Sequence, residues 1–167
     1  MRCSKHMIDF WGDNPKMCPG CKVEATKNNS GNTGGNKYDR MHMETAHTYS
    51  AESQCPRTKV GCALVLASGV VSPGFNGMAS GGPNQWEFSP DGNPEVVHAE
   101  LNSLGKCLEQ GLSTKGATMY VTLSPCLECS KLLVRAGVKR VVYREEYRKT
   151  DGIDYLRKYN VEVEQYV

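Results

Sequence analysis

The spacing of hydrophobic and polar positions predicts alternating strands and helices from about residue 39 to the end of the chain. Segments typical of strands lie at 60–66, 70–72, 117–123, 138–143 and 161–167. Segments with helical periodicity or helical boundary residues lie at 39–55, 98–111, 124–136 and 151–159. This alternation predicts a mixed or mostly parallel sheet with helices on both faces.

Individual residues set several of these boundaries. Asp39 is expected to cap the first helix, and Pro56 prevents that helix from continuing. Ser68 and Gly69 form a turn between the first two strands, which therefore form a hairpin. The second strand of this hairpin is expected to break at Pro73-Gly74.

The second and third helices have clear start and stop residues. The third is expected to have Ser124 as its N-cap, Pro125 as its first helical residue and Gly137 as its stop. The second ends at Gly111. Its periodicity predicts one apolar face, formed by Val97, Leu101, Leu104 and Leu108.

Composition divides the chain into three parts: an N-terminal segment over 1–26, a flexible linker or loop rich in Asn, Gly, Ser and Thr over 27–37, and a main domain over 38–167. At 167 residues with 39% hydrophobic content, the chain is long enough for one well-packed domain. A long loop is expected from Gly77 to Asn93, and loops of that length are usually functional or disordered.

Charge and hydropathy restrict the class of partner. The formal net charge of +2, from 20 basic and 18 acidic residues, forms no basic stripe, so long nucleic acid is not an expected partner. No segment suits a secretory signal or a membrane span, so a cytoplasmic protein is expected, in the host cytoplasm if the source is viral. In a reducing compartment, paired cysteines among the eight indicate metal or redox sites.

One pair of cysteines stands at a predicted strand-to-helix junction. Cys126 and Cys129 are three residues apart, so both sulfurs project from nearly the same face and can bind one ion. Zinc held by these thiolates and His98 keeps its fourth position open for water, as catalytic zinc sites do. By itself, the C-x-x-C pair is equally compatible with a structural zinc half-site or a redox pair, and His98-Ala99-Glu100 by itself is equally compatible with an ordinary helix start.

Glu100 adds the catalytic group. Residues two apart on a regular helix point to nearly opposite sides, so His98 and Glu100 can share a site only if the helix begins at about residue 98. The spacing H-x-E followed by P-C-x-x-C is typical of zinc-dependent nucleobase deaminases. In that chemistry a zinc-bound hydroxide attacks C4 of the pyrimidine, while Glu100 transfers protons from the water to N3 and to the departing ammonia.

Longer stretches resemble the deoxycytidylate deaminases, especially the bacterial and phage type. The resemblance extends over residues 39–165 and rests on Cys55–Gly61, Gly74–Gly77, His98–Asn102, Met119–Cys126, Ala136–Tyr143 and Tyr147–Arg148. The zinc motif alone is shared with tRNA adenosine, cytidine, guanine and riboflavin-pathway deaminases. The Gly-Phe-Asn-Gly element, the C-x-R-x-x-V-G run and the long insertion before His98 indicate the deoxycytidylate branch.

The resemblance implies a cytidine-deaminase-like three-layer α/β/α sandwich with a mixed five-stranded sheet. It implies hydrolysis of dCMP to dUMP for thymidylate synthesis, by a homo-oligomer, often a hexamer, that dCTP activates and dTTP inhibits with Mg²⁺. Asn76 is expected to contact the deoxyribose, and the backbone near Ala99 and Ser124 the base.

The same resemblance suggests residues for the phosphates and effectors. Candidates for phosphate contacts are Arg57, Lys59, Tyr147 and Arg148, unless these are ordinary solvated surface residues. The effector nucleotide is expected near Lys59, Phe75, Gly77, Met78, Gly81, Gly82 and Arg148.

The N-terminal segment departs from this family. Family members often place an auxiliary zinc between the Gly-Phe-Asn-Gly element and the H-A-E motif, but that interval contains no Cys or His here. Instead Cys3, His6, Cys18 and Cys21 form two pairs separated by a loop, which suits a closed structural zinc site. Two zinc ions are therefore expected, one catalytic and one structural.

Two other functions share parts of the pattern. A tRNA or single-stranded nucleic-acid deaminase has the same zinc motif, although the near-neutral charge argues against it. A non-catalytic zinc protein that binds a deoxynucleoside triphosphate is the other alternative. Glu100 argues against that one, because a structural zinc does not need a proton shuttle.

Overall fold

The structure, a computed structural model, describes residues 37–81 and 93–167, all within the compact unit Gly35–Val167. The helices of this part are α1 Asp39–Ala51, α2 Ala99–Glu109, α3 Leu127–Arg135 and α4 Asp151–Lys158. Its strands are β1 Gly61–Val65, β2 Val71–Phe75, β3 Thr118–Leu123, β4 Arg140–Glu145 and β5 Glu162–Gln165. The expected N-terminal zinc ligands and linker, and Gly82, lie outside the described residues.

The strands form a mixed sheet in the order β2-β1-β3-β4-β5. The β1 strand pairs antiparallel with β2 and β3, whereas β3, β4 and β5 are parallel. Parallel neighbours need a crossover, and here α3 and α4 supply the two crossovers. The prediction of a five-stranded mixed sheet in an α/β/α sandwich is confirmed. None of the described helices has the length and apolar character of a membrane span.

The two faces of the sheet bury different side chains because successive strand residues point to opposite sides. One face packs against α1 through Met43, Ala46, Ala63, Tyr120 and Val142. The opposite face packs against α2, α3 and α4 and contains the larger cluster. Its fully buried members include Cys62, Leu64, Cys107, Met119, Val121, Leu133, Val141 and Leu156.

The β2 strand does not break where the sequence suggested. It continues through Pro73 to Phe75, and Pro73 lies opposite Ala63 of β1. Proline lacks an N–H, but β2 is at the edge of the sheet, where that missing donor does not interrupt a second ladder.

The expected cap of α1 is wrong, and the reason is a buried ion pair. Asp39 is the first helical residue, while Tyr38 is the N-cap. The Asp39 carboxylate instead accepts two hydrogen bonds from Arg140, at 2.9 and 2.7 Å, and one from the Tyr120 hydroxyl at 2.7 Å. Arg140 also pairs with Glu164 at 2.5 Å. These contacts join the start of α1 to β3, β4 and β5.

The apolar face predicted for α2 is also wrong in part. Leu104 is buried, but Leu101 and Leu108 are 42% and 79% exposed. The buried positions of α2 are Ala99, Glu100, Ser103, Leu104 and Cys107. The buried face of α2 thus includes the polar residues Glu100 and Ser103, while two of the predicted leucines lie on the surface.

Replacing Arg140 by Ala is expected to lower the free energy of unfolding by about 3–5 kcal/mol, because it breaks a buried ion pair in which Arg140 makes two hydrogen bonds to Asp39. Urea denaturation measures this change. The matched control is Arg40→Ala, which removes a fully surface-exposed pair with Glu44 and is expected to cost at most about 0.5 kcal/mol. Similar losses in both variants would show that the buried pair contributes no more than a surface pair.

Candidate active site

His98 and Cys126 occupy equivalent places at the entrances of two helices. His98 is the N-cap of α2, with extended backbone angles φ −69° and ψ 154°. Cys126 is the N-cap of α3, with φ −69° and ψ 167°. The expectation that α2 begins at about residue 98 is confirmed. Because His98 precedes the regular turns of the helix, its side chain and that of Glu100 are not forced to opposite sides.

The start of α3 differs from the prediction by two residues. Ser124 is not the N-cap, because its N–H donates to the Glu145 carbonyl at 2.8 Å and extends the pairing of β3 with β4. Its hydroxyl accepts the N–H of Tyr147 at 2.8 Å. Ser124 therefore continues the pairing of β3 with β4 just beyond the end of β3, and α3 begins at Leu127 and ends at Arg135.

The three expected ligands converge. The Nδ1 atom of His98 lies 3.3 Å from the Sγ atom of Cys129 and 3.6 Å from that of Cys126. All three donor atoms lie within 4.8 Å of one another. Tetrahedral zinc, with bonds of roughly 2.3 Å to sulfur and 2.0–2.1 Å to nitrogen, keeps such donors about 3.5 Å apart. Within the described residues, this is the one group of His, Cys, Asp or Glu side chains with metal-site spacing.

The charge state of the two thiols also suits a cation. Hydrogen bonds from Cys129 and then from His98 lower the pKa of Cys126 to about 3. The pKa of Cys129 is raised in turn, chiefly by its hydrogen bond to Cys126 and then by burial. The opposite directions of the two shifts reflect one hydrogen bond between the sulfurs. A divalent cation held here would displace the shared proton and neutralise both thiolates.

Glu100 is buried beside these ligands. Glu100 is 4% exposed, and this burial raises the pKa of its carboxyl. The pKa of His98 is raised chiefly by its hydrogen bond to Cys126, and the charge of Glu100 adds to this rise and to that of Cys129. A carboxyl that exchanges its proton more readily near neutral pH is what a proton shuttle requires.

Two glycines allow close packing behind the two helix entrances. A Cβ atom on Gly74 of β2 would collide with the Ala99 carbonyl, next to His98. A Cβ atom on Gly152 of α4 would collide with the Pro125 carbonyl, next to Cys126. At both places, the main chain of a neighbouring element therefore packs directly against the segment that carries a candidate ligand.

The Gly-Phe-Asn-Gly element lies against the entrance of α2. Gly77 and Val97 exchange two backbone hydrogen bonds, of 3.1 and 2.8 Å, which places the element beside His98. The Asn102 side chain donates to the Phe75 carbonyl at 2.7 Å. These contacts bring the segment that is expected to bind the sugar next to His98, one of the candidate metal ligands.

The side chain of Asn76 holds the loop between α1 and β1. Its Oδ1 atom accepts from the Val60 N–H at 2.8 Å and from the Ser53 hydroxyl at 2.7 Å. Its Nδ2 atom donates to the Thr58 carbonyl at 2.9 Å. Ser53 is almost fully buried, and sequence reasoning missed it because a serine just after a helix has no distinctive pattern.

The other residues that are expected to bind substrate or effector lie in the loops at the ends of the strands. Tyr147 is joined to Ser124 by its N–H, and the Arg148 guanidinium lies 5.6 Å from the Tyr147 ring centroid. Arg57 and Lys59 are exposed on the loop that Asn76 holds. Met78 and Gly81 follow the Gly-Phe-Asn-Gly element, and Gly81 has a positive φ of 83°.

Comparison with known proteins agrees with this geometry. The family model described as the cytidine and deoxycytidylate deaminase zinc-binding region matches residues 36–145. The deoxycytidylate deaminase of Enterobacteria phage T4 is 30% identical, over 72% of this chain and 86% of its own length. The ComE operon protein 2 of Bacillus subtilis (strain 168) is 33% identical, over 66% of this chain and 61% of that protein.

The fold is also shared with a solved structure. The dCMP deaminase of cyanophage S-TIM5, in complex with dCMP and dUMP, is 43% identical with a TM-score of 0.73, over 79% of this chain and 98% of that one. The matched family region contains His98, Glu100, Cys126 and Cys129, the residues that converge in the structure. The chain therefore belongs to the cytidine and deoxycytidylate deaminase family.

Proposed function

We propose that the protein hydrolyses dCMP to dUMP and ammonia, and so supplies dUMP for thymidylate synthesis. The observation that carries the proposal is the convergence of His98, Cys126 and Cys129 beside the buried carboxyl of Glu100. The substrate follows from the relatives, several of which are named deoxycytidylate deaminases, and from the cyanophage structure with dCMP and dUMP.

Zinc held by His98, Cys126 and Cys129 would supply an activated water molecule at neutral pH. Glu100 takes a proton from that water and delivers it to N3 of the pyrimidine, while the water oxygen forms its bond to C4. Glu100 then transfers the second proton to the amino group, and the C4–N bond breaks to release ammonia. The raised pKa of Glu100 supports this role, because the carboxyl must be both a base and an acid in one turnover.

We propose that the nucleotide binds beside the candidate metal ligands, against the neighbouring loops. The backbone of Ala99 and Ser124 adjoins the ligands and suits contacts to the base. Asn76 retains one amide N–H beyond its bond to Thr58, and this N–H suits the deoxyribose. Arg57 and Tyr147 are proposed for the phosphate, since Arg57 lies on the loop held by Asn76 and Tyr147 is fixed to Ser124.

Regulation and assembly are proposed from the family resemblance. Activation by dCTP and inhibition by dTTP with Mg²⁺ would involve the effector residues Lys59, Phe75, Gly77, Met78, Gly81, Gly82 and Arg148. A homo-oligomer, a hexamer by resemblance, is supported by apolar side chains left exposed on α2 and α3, namely Leu101, Leu108 and Leu132. The cytoplasmic location expected from the sequence stays a prediction.

A second, structural zinc is proposed for the N-terminal segment. Cys3, His6, Cys18 and Cys21 supply four ligands in two closely spaced pairs, which suits a closed tetrahedral site. Such a site can fold a short segment that has few hydrophobic residues for a core.

Replacing Glu100 by Gln is expected to reduce dCMP turnover at least about a thousandfold, because the proton shuttle is lost while the shape of the side chain is retained. Ammonia release measures turnover, and metal analysis should find zinc unchanged. Glu128→Gln is the control, since Glu128 lies in the same motif but is exposed and paired with Lys131. Unchanged turnover in the Glu100 variant would disprove the proton-transfer role.

Cys126→Ser is expected to bind one zinc ion fewer per chain than the wild type and to lose activity, because a hydroxyl is a much poorer ligand than a thiolate. Cys55→Ser is the control, since Cys55 lies apart from the metal group and should leave both zinc content and turnover unchanged. Full zinc content after the change at Cys126 would contradict the ligand assignment. A further loss of one zinc after Cys18→Ser would locate the second ion.

A substrate panel tests the specificity and regulation. Ammonia release is expected with dCMP, to be faster with added dCTP and slower with added dTTP and Mg²⁺, and to be weak with cytidine. Activity confined to a tRNA anticodon loop or single-stranded DNA would exclude the dCMP assignment, whereas dCMP turnover that ignores both effectors would exclude the regulation alone.

A further inference from the structure

Ser53 carries a buried hydroxyl that the proposed reaction does not use. It lies two residues after the end of α1 and is 1% exposed. Its Oγ atom lies 2.7 Å from the Oδ1 atom of Asn76 and 2.8 Å from the Asn76 carbonyl oxygen. Both of these atoms are acceptors, so they share the one hydroxyl proton. The Cys55 N–H donates to the same Oγ atom at 3.2 Å, so the hydroxyl is bonded on its acceptor side as well.

The partners of the Asn76 amide determine which of its ends is the oxygen. The Oδ1 atom faces two donors, the Ser53 hydroxyl and the Val60 N–H. The Nδ2 atom faces an acceptor, the Thr58 carbonyl. A flipped amide would place its NH₂ group against the Val60 N–H and its oxygen against the Thr58 carbonyl, and both contacts would be repulsive. These three partners therefore hold the amide in one orientation.

This bonding limits what the Asn76 side chain can offer to a ligand. A primary amide has two acceptor lone pairs on its oxygen and two N–H donors. Ser53 and Val60 occupy both lone pairs, and Thr58 occupies one N–H. One N–H remains, so the side chain presents a donor and no acceptor. A ligand group that meets it must therefore be an acceptor.

Among the described partners of the Asn76 amide, Ser53 is the one that acts through its side chain. Thr58 and Val60 contribute backbone groups, and the Asn76 N–H donates in turn to the Val60 carbonyl at 3.0 Å, which prolongs the pairing of β1 with β2. A change of side chain at position 53 can therefore alter the Asn76 amide and leave these backbone bonds in place.

The Asn76 amide is also close to the candidate metal ligands along the chain. Gly77, the next residue, pairs with Val97, which directly precedes His98. The Ser53 hydroxyl bonds to the Asn76 carbonyl as well as to its side chain, so it restrains the backbone of the same segment. Ser53 thus fixes both the direction of the amide and the strand end that brings it beside His98.

We propose that Ser53 is a positioning residue for nucleotide recognition, because its hydroxyl keeps the Asn76 oxygen occupied and so directs only an N–H at the sugar. The role rests on the proposed contact between Asn76 and the deoxyribose. In dCMP the sugar has one free hydroxyl, at the 3′ position, because the 2′ position has none and the 5′ oxygen carries the phosphate. The 3′ oxygen is the acceptor that a donor-only amide favours.

The test is calorimetric titration of dCMP and of 2′,3′-dideoxycytidylate, which lacks the 3′-hydroxyl. Full-length, zinc-loaded protein carrying Glu100→Gln is used, so that neither nucleotide is turned over. This parent is expected to bind dCMP about tenfold more tightly, as one hydrogen bond between uncharged groups allows. Adding Ser53→Ala is expected to reduce the preference to about threefold or less, because the amide loses a restraint and one lone pair of its oxygen becomes free.

The ratio of the two affinities separates positioning from a general structural role. A variant that is partly unfolded shows a lower binding stoichiometry, but its folded fraction keeps the same ratio. Ser50→Ala is the matched control, because Ser50 is also a buried serine at the end of α1 but its hydroxyl donates to the His47 carbonyl at 2.6 Å. It should keep the tenfold preference. If Ser53→Ala does not fold, Ser53→Cys supplies a weaker donor of similar size, and its preference should fall below that of the Ser50 control.

Two results would overturn the role of Ser53. One is an equal loss of affinity for both nucleotides with the preference unchanged, since a purely structural residue would act in that way. The other is equal binding of both nucleotides by the parent, since Asn76 would then make no contact with the 3′-hydroxyl. Turnover of dCMP by the wild type is measured separately. Its absence would disprove the proposed function, while the affinity ratio would still decide the role of Ser53.

Discussion

The site depends on one backbone constraint: both helices that carry metal ligands must begin immediately after an extended residue. On a continuous helix, His98 and Glu100 would point apart. With His98 in an extended conformation, its imidazole turns toward Cys126 and Cys129 while Glu100 enters the helix from the same side. Cys126 has the same conformation at α3, and thus presents its sulfur beside that of Cys129.

The rest of the fold secures these two entrances. The β3 strand leads directly to Cys126, and the Ser124 backbone prolongs its pairing with β4, so α3 cannot begin earlier. The Gly77–Val97 bridge fixes the segment that precedes His98. Gly74 and Gly152 then allow neighbouring backbone to approach the Ala99 and Pro125 carbonyls, so neither entrance can move far without a collision.

The sequence was sufficient to predict that His98, Cys126 and Cys129 converge, where α2 starts and that the sheet is mixed, because these follow from residue chemistry and short spacings. The remaining features depend on partners far along the chain. Asp39 has the composition of a helix cap, but Arg140 and Tyr120 provide stronger partners for its carboxylate. Ser124 likewise has the character of a cap, yet Tyr147 occupies its hydroxyl. No local pattern contains such long-range information.

The orientation of α2 buries polar as well as apolar side chains. Glu100 and Ser103 lie on its buried face together with Leu104, whereas Leu101 and Leu108 are exposed.

The candidate ligands stand on two separate helices, so a metal ion held by them would cross-link α2 and α3. The chain between His98 and Cys126 contains α2 and β3, so a bound ion would close a loop of the chain and restrict the unfolded state. Because only the folded chain presents all three donors together, the free energy of metal binding is also free energy of folding. In the proposed reaction, the bonds that would activate the water would thus also resist unfolding, and chelation would weaken both together.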